Sequence, residues 1–294
     1  MHDVDFRKLL DALGLSWSGY RRVRKGVKKR ISKHMQTIGA AKMDRYIERL
    51  FADPSVRTDC DRLMTVSISR FFRDRQLWEA LEKEILPDLI QKTSNRLNVW
   101  SSGCACGEEA YSIGILWKRL QQKDPELPAI EILATDMNPT YLQKAQTGIY
   151  QSSSLKELDK TDLETFFNKS YGRHRYGVTA ALKENIFWKT HHLLEDPPAS
   201  GFHIVFLRNS ILTYYETALK GKSFRNVIRT LAPSGLLIVG SHETIPETEA
   251  ALRPVPPFPY VWIKEGAEEI NIEVAKTPTS NVQRPGSEDS DIES

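Results

Sequence analysis

The chain has 294 residues, 40% of them hydrophobic, and a formal net charge of +3. It can therefore bury one large hydrophobic core or two smaller ones. No run is long and apolar enough to span a bilayer, and the first residues lack the form of a signal peptide. Three cysteines give no disulfide framework, and Cys104 and Cys106 lack a second ligand pair nearby, so no metal site is expected. We expect a cytoplasmic protein without membrane insertion.

Apolar residues recur at helical spacing in the first part of the chain. They predict helices over residues 6–13, 19–36, 43–51 and 55–64, and thus a small helical domain over residues 1–66. The second helix is dense in Lys and Arg over residues 21–33. That run is either a solvated helix face or a docking surface for an acidic partner. Nucleic acid is not expected, because no aromatic residues interleave with the basic ones and the net charge is low.

The next stretch changes from helical periodicity to an extended pattern. Residues 65–74 alternate hydroxyl and apolar side chains and predict a linker, and residues 76–90 predict an amphipathic helix. A short apolar strand over 97–100 then meets a loop of small residues, 101–107, and a helix that begins at Glu108. A strand, a small-residue turn and a helix form the opening of a nucleotide-binding α/β unit.

The small-residue loop favours a particular class of ligand. Its glycines are Gly103 and Gly107, so it lacks the GxGxxG pattern, and no Lys-Ser/Thr of a phosphate-binding loop follows. Glu108 and Glu109 would repel a pyrophosphate but suit a ligand with a cationic part. S-adenosylmethionine (SAM), which carries a sulfonium and an ammonium, is such a ligand. The alternative is an ordinary strand-to-helix turn.

A carboxylate stands at the end of the next predicted strand. Residues 130–135 form this apolar run, and Asp136 follows it. One βα unit after the small-residue loop, a carboxylate is placed to accept both ribose hydroxyl groups of a nucleoside. An Asp after a strand is by itself usually a helix cap or a turn residue, so the prediction depends on the pairing of the two features.

The remaining elements extend the α/β pattern to residue 263. Helices are predicted over 140–146, 155–167 and 218–231, a small β-hairpin insertion at about 169–190, and strands over 203–206, 236–239 and 260–263. Repeated βα units imply an α/β fold with a mostly parallel, Rossmann-like sheet and helices on both faces. We expect this domain to span residues 67–265 and to be followed by a disordered acidic tail over 266–294.

Seven short motifs occur in a fixed order along the chain. They are residues 65–73 (TVSISRFFR), 107–112 (GEEAYS), 135–136 (TD), 144–150 (KAQTGIY), 208–209 (RN), 231–235 (LAPSG) and 240–243 (GSHE). Together they resemble the chemotaxis receptor methyltransferase (CheR) family, whose motifs are T-x-N-x-T-x-F-F-R, G-E-E-P-Y-S, S/T-D, K-A-x-x-G-x-Y, C-R-N, L-x-P-G-G and G-x-S-E. The resemblance covers residues 6–263. It implies a class I SAM-dependent methyltransferase fold with a helical N-terminal domain and a β-insertion.

The chain departs from the family's motifs at several positions. Ser67 stands where Asn is usual, Ala110 replaces Pro, and His192 replaces an Asn in the run that approaches adenine. The family's Tyr, four residues after the Asn of C-R-N, falls on Thr213 here, and Tyr214 comes next. Either residue could fill that position, and we favour Tyr214. These changes bear on the substrate more than on the cofactor.

The resemblance also implies roles for individual residues. Arg73 steers the attacking carboxylate beside the methyl group, and Tyr214 packs beside the sulfonium; these two are the predicted catalytic residues. Glu109 (or Glu108) binds the ammonium of the methionine part, and Asp136 binds the ribose. The remaining predicted cofactor contacts are Thr65, Ser67, Ser69, Ser102, Gly103, His192, Asn209 and Ser210.

The resemblance thus implies a SAM-dependent methyltransferase that esterifies glutamate side chains of an acidic, helical, chemoreceptor-like protein. The basic run is the implied contact for this partner, and Arg24, Lys28, Lys29 and Arg30 match the family's receptor-contacting helix in character. Two alternatives stay open. One is a methyltransferase of the same family that acts on another protein or a small molecule, and the other is a non-catalytic SAM-binding interaction module.

Overall fold

The computed structural model describes residues 1–67, 69–91, 96–169, 174–247 and 252–265. The tail predicted over residues 266–294 lies outside these ranges, as do residues 170–173 of the predicted β-hairpin insertion. Among the described residues, no helix is both long enough and apolar enough to cross a membrane.

Five helices form a unit at the N-terminal end of the described chain. They are α1 (Asp3–Leu13), α2 (Trp17–Tyr20), α3 (Arg24–Thr37), α4 (Met43–Ala52) and α5 (Pro54–Met64). Phe6, Ile31, Tyr46 and Cys60, one from each of the four longer helices, are fully buried in a shared core. The helical spacing of apolar residues in the sequence therefore corresponds to a hydrophobic core that these helices share.

The helix predicted over residues 19–36 is divided into α2 and α3. The short helix α2 lies so close to the segment around Thr213 that a Cβ atom on Gly19 would be 2.2 Å from the Thr213 carbonyl oxygen. The neighbouring Ser16 N–H donates to the Tyr214 carbonyl oxygen at 2.8 Å. This tertiary contact fixes the direction of α2, so the chain turns at residues 21–23 before α3 begins. Helical spacing in the sequence carries no sign of such a contact.

The connection after α5 has no regular secondary structure in its described residues. Phe71 and Phe72 anchor it in the core, and the Phe72 N–H donates to the Ser112 hydroxyl at 2.9 Å. Phe72 and Asp74 have positive φ angles of 48° and 66°. A continuous helical segment follows, made of α6 (Arg75–Ala80), a π-helical turn (Leu81–Ile85) and α7 (Leu86–Gln91).

The strands in the described part of the chain form two sheets. They are β1 (Arg96–Ser102), β2 (Ala129–Asp136), β3 (Ile149–Gln151), β4 (Phe167–Asn168), β5 (Arg175–Val178), β6 (Ile186–Thr190), β7 (Phe202–Leu207), β8 (Leu231–Val239), β9 (Leu252–Val255) and β10 (Phe258–Lys264). The larger sheet has the order β6-β2-β1-β7-β8-β10-β9. Its strands pair in parallel except at β10, which is antiparallel to both β8 and β9.

Helices cover both faces of the larger sheet. Those after β1 are α8 (Glu108–Lys123), α9 (Pro139–Thr147), α10 (Lys160–Phe166), α11 (Ala180–Lys183), α12 (Ile211–Tyr214) and α13 (Thr217–Arg229). Neighbouring residues of one strand enter different core clusters: Val99 and Ile204 pack on one side, and Trp100 and Val205 on the other. Strands buried on both faces belong to parallel sheets of α/β proteins. The predicted mostly parallel α/β fold is confirmed.

The small sheet does not coincide with the predicted β-insertion. Its order is β3-β5-β4 with antiparallel pairing, so it draws on residues 149–178. The prediction over 169–190 was wrong about its last strand, because β6 pairs in parallel with β2 at the edge of the larger sheet. An apolar run indicates a strand but not the partner with which it pairs.

The strand order determines where a ligand can bind. The central strand β1 has parallel neighbours on both sides, β2 and β7, and the order of the chain reverses at this point. Ligands of such sheets bind outside the carboxyl ends of the strands at the reversal. The N-terminal helices reach the same edge, where Leu15 and Tyr215 form an isolated antiparallel bridge.

We predict that Gly107→Ala destabilises the fold more than Gly39→Ala does. Both glycines have positive φ angles, but a Cβ atom on Gly107 would lie 2.8 Å from Ala145 and from Trp188, whereas one on Gly39 meets nothing within 4 Å. The shared backbone strain costs about 1–2 kcal/mol, and overpacking at Gly107 adds about 1–3 kcal/mol. Urea unfolding of the two variants measures the difference, and equal losses would contradict the packing argument.

Candidate active site

A cavity lies where the carboxyl ends of β1, β2, β6 and β7 meet the N-terminal helices. The predicted site residues in its wall are Thr65, Gly103, Asp136, His192, Asn209, Ser210 and Tyr214. The opposite wall comes from the helical unit and includes Tyr20, Asp61 and Met64.

The loop after β1 approaches the cavity with its backbone. The Gly103 N–H donates to the Thr135 carbonyl oxygen at 2.8 Å, which ties the loop to the end of β2. Gly103 has a φ of +75°, and a Cβ atom there would lie 3.2 Å from the Ser210 Cβ, so glycine lets two loops meet. Ser102, a predicted contact, is buried behind this wall and donates its hydroxyl to the Phe206 carbonyl oxygen at 2.6 Å.

Asp136 has a fixed orientation in the cavity wall. Its Oδ1 accepts from the Asn138 N–H at 2.8 Å and its Oδ2 from the Ala105 N–H at 2.9 Å. Each oxygen keeps a lone pair for a further donor. Burial raises the pKa of this carboxyl, and the two N–H donors oppose that rise. The arrangement suits a ligand with two neighbouring hydroxyl groups.

The turn after β7 is held by the carboxylate of Glu243, a residue that follows β8 in the chain. Glu243 accepts from the N–H groups of Asn209 at 2.9 Å and Gly240 at 2.7 Å, and from the Thr213 hydroxyl at 2.5 Å. These bonds stabilise Asn209 at a φ of 51°, a conformation that costs about 1–3 kcal/mol in a residue other than glycine. The Ser210 hydroxyl beside it is buried and has no hydrogen-bond partner among the described residues.

Tyr214 lines the cavity, whereas the Thr213 hydroxyl is engaged by Glu243 behind the wall. The Tyr214 ring lies 4.9 Å from the ring of Tyr20, centroid to centroid. Burial raises the pKa of the Tyr214 hydroxyl, and the positive charge of Arg73 opposes the rise. Arg73 itself is not among the lining residues.

The hydroxyl residues of the linker have different surroundings. Thr65 lines the cavity, but the Ser67 Oγ lies 3.6 Å from the Cys106 Sγ. The Ser69 hydroxyl hydrogen-bonds to the carboxylate of Glu108, whose pKa is raised by burial. Ser67 and Ser69 thus support the loop after β1 from behind and are not part of the cavity wall.

Glu109 faces a buried guanidinium. Its carboxylate accepts from the Ser101 hydroxyl at 2.7 Å and from Arg208 Nη1 at 3.0 Å. The Arg208 side chain, 4% exposed, also pairs with the Asp74 carboxylate and donates to the Arg73 carbonyl oxygen at 3.3 Å. One cation thus joins the end of β7, the start of α8 and the linker at Arg73. Binding of an ammonium by Glu109 stays a prediction.

Two consecutive histidines line the cavity after β6. The Leu194 N–H donates to His192 Nδ1 at 3.1 Å, so in the neutral ring the proton is on Nε2. Burial lowers the pKa of both imidazoles. His191 Nε2 lies 3.0 Å from the Asp196 carbonyl oxygen, and its Nδ1 has no hydrogen-bond partner among the described residues.

Comparison with known proteins identifies the family. Residues 67–258 match the family described as "CheR methyltransferase, SAM binding domain". The chain belongs to the CheR methyltransferase family. The strand order and the site at the carboxyl ends of the strands agree with this assignment, and the predicted class I SAM-dependent methyltransferase is confirmed.

Individual relatives agree with the CheR assignment. A chemotaxis protein methyltransferase of Listeria monocytogenes is 32% identical over 200 residues, which cover 68% of this chain and 74% of that protein. The putative methyltransferase Cher3 of Pseudomonas putida is 28% identical, and the alignment covers 83% of this chain and 89% of that protein. A solved structure, the glycopeptide N-methyltransferase MtfA complexed with S-adenosyl-L-homocysteine (SAH), is 12% identical with a TM-score of 0.36, covering 69% of this chain and 62% of that chain.

The residues of this CheR-family chain fit SAM as the cofactor. Asp136 presents a fixed carboxylate to the cavity. Ser210 Oγ and His191 Nδ1, both on lining residues, are buried polar atoms that no described residue satisfies. Buried polar atoms in folded proteins almost always have a partner, and a polar ligand can supply it.

Two supporting residues of the CheR-family site were not predicted. Arg208 stands directly before Asn209, at the end of a buried strand. A buried arginine requires carboxylate partners. The position of Arg208 in the sequence was therefore a signal that such partners exist. Glu243 ends the G-x-x-E motif but received no role. Asp61 and Tyr215 also line the cavity, and because tertiary packing brings them there, the sequence offered no signal for them.

We predict that Arg208→Met lowers the free energy of unfolding by about 3–5 kcal/mol, because it leaves the carboxylate of Glu109 buried without its cation. Guanidinium chloride unfolding measures this loss. Adding Glu109→Gln to the same chain should recover part of the stability, since it removes the unpaired charge.

The matched control for Arg208 is Arg96→Met. Arg96 pairs with Glu131 at 2.6 Å, but the two side chains are 58% and 43% exposed. Solvent screens such a pair, so its loss should cost less than about 1 kcal/mol. Equal losses at the two arginines, or no recovery in the double variant, would contradict the assigned role of Arg208.

Proposed function

We propose that this CheR-family enzyme transfers the methyl group of SAM to glutamate side chains of a chemoreceptor-like protein in the cytoplasm, giving methyl esters. The names of relatives, such as chemotaxis protein methyltransferase 1 of Pseudomonas aeruginosa, support this acceptor. The observation that carries the proposal is the match of residues 67–258, which include Arg73, to the CheR methyltransferase SAM-binding domain, together with the cavity at the carboxyl ends of the strands. The positive charge of Arg73 suits an anionic acceptor.

Methyl transfer to a carboxylate requires few catalytic groups from the protein. When bound, SAM supplies an electrophilic methyl group: an acceptor oxygen bonds to that carbon while the carbon–sulfur bond breaks, and the electron pair stays on sulfur. A glutamate side chain has a reference pKa of about 4.3 and is already deprotonated at neutral pH. The enzyme therefore needs no general base. Its task is to align the acceptor and to exclude water from the site.

In this proposal Arg73 attracts and orients the acceptor carboxylate. Its carbonyl oxygen accepts from Trp78 Nε1 at 2.8 Å and from Arg208 Nη2 at 3.3 Å. The two phenylalanines before it are buried. The guanidinium thus extends from a fixed backbone, which reduces the entropy lost when it binds a carboxylate. Tyr214 presents an aromatic ring to the cationic part of the cofactor.

We assign the cofactor contacts by their positions in the cavity wall. Asp136 accepts the ribose hydroxyls, and His192 faces the adenine. Thr65, Gly103, Asn209 and Ser210 line the remaining part, where the methionine moiety lies. Ser67, Ser69, Ser102 and Glu108 support this wall from behind, and Glu109 remains the proposed partner of the methionine ammonium.

The basic residues near α3 fall into two groups. Arg24 and Lys28 pair with Asp3 at 3.2 and 2.8 Å. The exposed group consists of Arg21, Arg22, Lys25, Lys29 and Lys33. We propose that this exposed group binds the acidic acceptor, that residues 1–66 form the recognition domain, and that residues 67–265 form the methyltransferase domain.

The direct test is incubation with methyl-labelled SAM and a chemoreceptor cytoplasmic fragment. We predict label that mild base releases, as it does from a carboxyl methyl ester. Arg73→Ala should lower the rate of transfer at least about 100-fold because the acceptor is no longer aligned. Arg75→Ala is the matched control, since this nearby arginine has a side chain 73% exposed and pairs with Glu79.

The outcomes of this assay separate the alternatives. Label that resists base would mean a different acceptor atom. Tight SAH binding without transfer to any receptor fragment would refute the chemoreceptor acceptor and favour another protein or a small molecule. Absence of SAH binding in the wild type would contradict the cofactor site itself.

We predict that Lys25→Glu/Lys29→Glu weakens binding of the acidic receptor fragment at least about tenfold, by repulsion where attraction was present. The binding of SAH should stay within about twofold, because neither side chain lines the cavity. Titration at two salt concentrations measures both affinities. The control, Arg225→Glu/Arg229→Glu, reverses two exposed charges on α13, and an equal loss there would mean that net charge alone drives the binding.

A further inference from the structure

Arg30 differs from the exposed basic residues of α3. Its side chain turns inward, where Nε donates to the Leu63 carbonyl oxygen at 2.9 Å and Nη2 to the Thr65 carbonyl oxygen at 2.7 Å. Lys29 and Lys33 on the same helix are exposed. The guanidinium of Arg30 is therefore committed to two backbone acceptors.

These acceptors belong to the end of α5. The last carbonyl groups of a helix have no partner within the helix and carry partial negative charge, which a cation stabilises. The Met64 carbonyl oxygen between them accepts from the Tyr20 hydroxyl at 3.1 Å. Three consecutive carbonyls are thus bound by side chains from α2 and α3. The planar fork of an arginine can serve two of them at once, which a lysine ammonium on its flexible stem does poorly.

The hydrogen bonds continue from Thr65 into the cavity wall. Asn138 Nδ2 donates to Thr65 Oγ1 at 3.1 Å, and the Asn138 N–H donates to Asp136 Oδ1 at 2.8 Å. Thr65 and Asp136 both line the cavity. An unbroken chain of hydrogen bonds therefore runs from Arg30 through Thr65 and Asn138 to the carboxylate assigned to the ribose.

We infer that Arg30 is a positioning residue of the cofactor site and not a contact for the acidic acceptor. It fixes Thr65 and, through Asn138, the orientation of Asp136. Nε and Nη2 are not available to an acidic partner while they bind the end of α5. The first half of the inference depends on the SAM site, and the contrast with the acceptor surface rests on the proposed function.

The test compares Arg30→Lys with Lys29→Gln in the full chain by calorimetric titration with SAH. Arg30→Lys keeps the positive charge but loses the fork, so SAH should bind about tenfold more weakly, the equivalent of one lost hydrogen bond. Lys29→Gln should leave SAH binding within about twofold. The same variants titrated with an acidic receptor fragment should show the reverse order of losses.

A double-mutant cycle separates positioning from general destabilisation. If Arg30 acts through Asn138, Arg30→Lys should cost little further SAH affinity in an Asn138→Ala chain. Additive losses would overturn the inference, as would wild-type SAH affinity in Arg30→Lys. If Arg30→Lys does not fold, Arg30→Gln, whose amide can still donate to one carbonyl, takes its place.

Negative results in the SAH titration and in the fragment titration bear on different proposals. If no acidic fragment binds any variant, the proposed acceptor is refuted, and the SAH titrations still decide the role of Arg30. If Arg30→Lys loses the fragment but keeps SAH, Arg30 is an acceptor contact and the inference is wrong.

Discussion

A guanidinium withdrawn from water is tolerated only where anions and carbonyl oxygens replace its hydration. Arg208 finds such acceptors in two separate parts of the chain. Glu109 at the start of α8, Asp74 and the Arg73 carbonyl all converge on it. Strand β7, helix α8 and the linker must therefore reach their positions together. Removing the guanidinium leaves two carboxylates without their cation, so the position of the linker at Arg73 is tied to the stability of the core.

Polar anchors also support two parts of the cavity wall, at Asn209 and at Asp136. Glu243 holds the turn at Asn209, and the Asn138 and Ala105 N–H groups hold Asp136. Such support keeps the polar groups of a site oriented before a ligand arrives, which lowers the cost of ordering them on binding. Asn138 is a neighbour of Asp136 in the sequence, whereas Ala105 and Glu243 come from distant parts of the chain.

Sequence reasoning succeeded where the signal is local. The small-residue loop and Asp136 were found because strand, turn and helix follow one another along the chain, and Asp136 lies in the cavity wall. Prediction from the sequence was wrong where tertiary contacts determine how a segment pairs or packs. Pairing with β2 makes residues 186–190 an edge strand of the main sheet, and contact with Thr213 divides the helix predicted over residues 19–36. The hydrogen bond of the Thr213 hydroxyl to Glu243, which lies 30 residues further along, is likewise a contact for which the sequence carries no local signal.

The match to the CheR SAM-binding domain begins at residue 67, but the cavity does not. Tyr20, Asp61 and Met64, which precede that boundary, form one side of it. A recombinant fragment that starts at residue 67 would keep the sheet and lose that side, so a bound nucleoside would be exposed to bulk water. The start of the family match at residue 67 shows only which segment resembles the SAM-binding domain. The smallest piece of this chain that can enclose its ligand is longer.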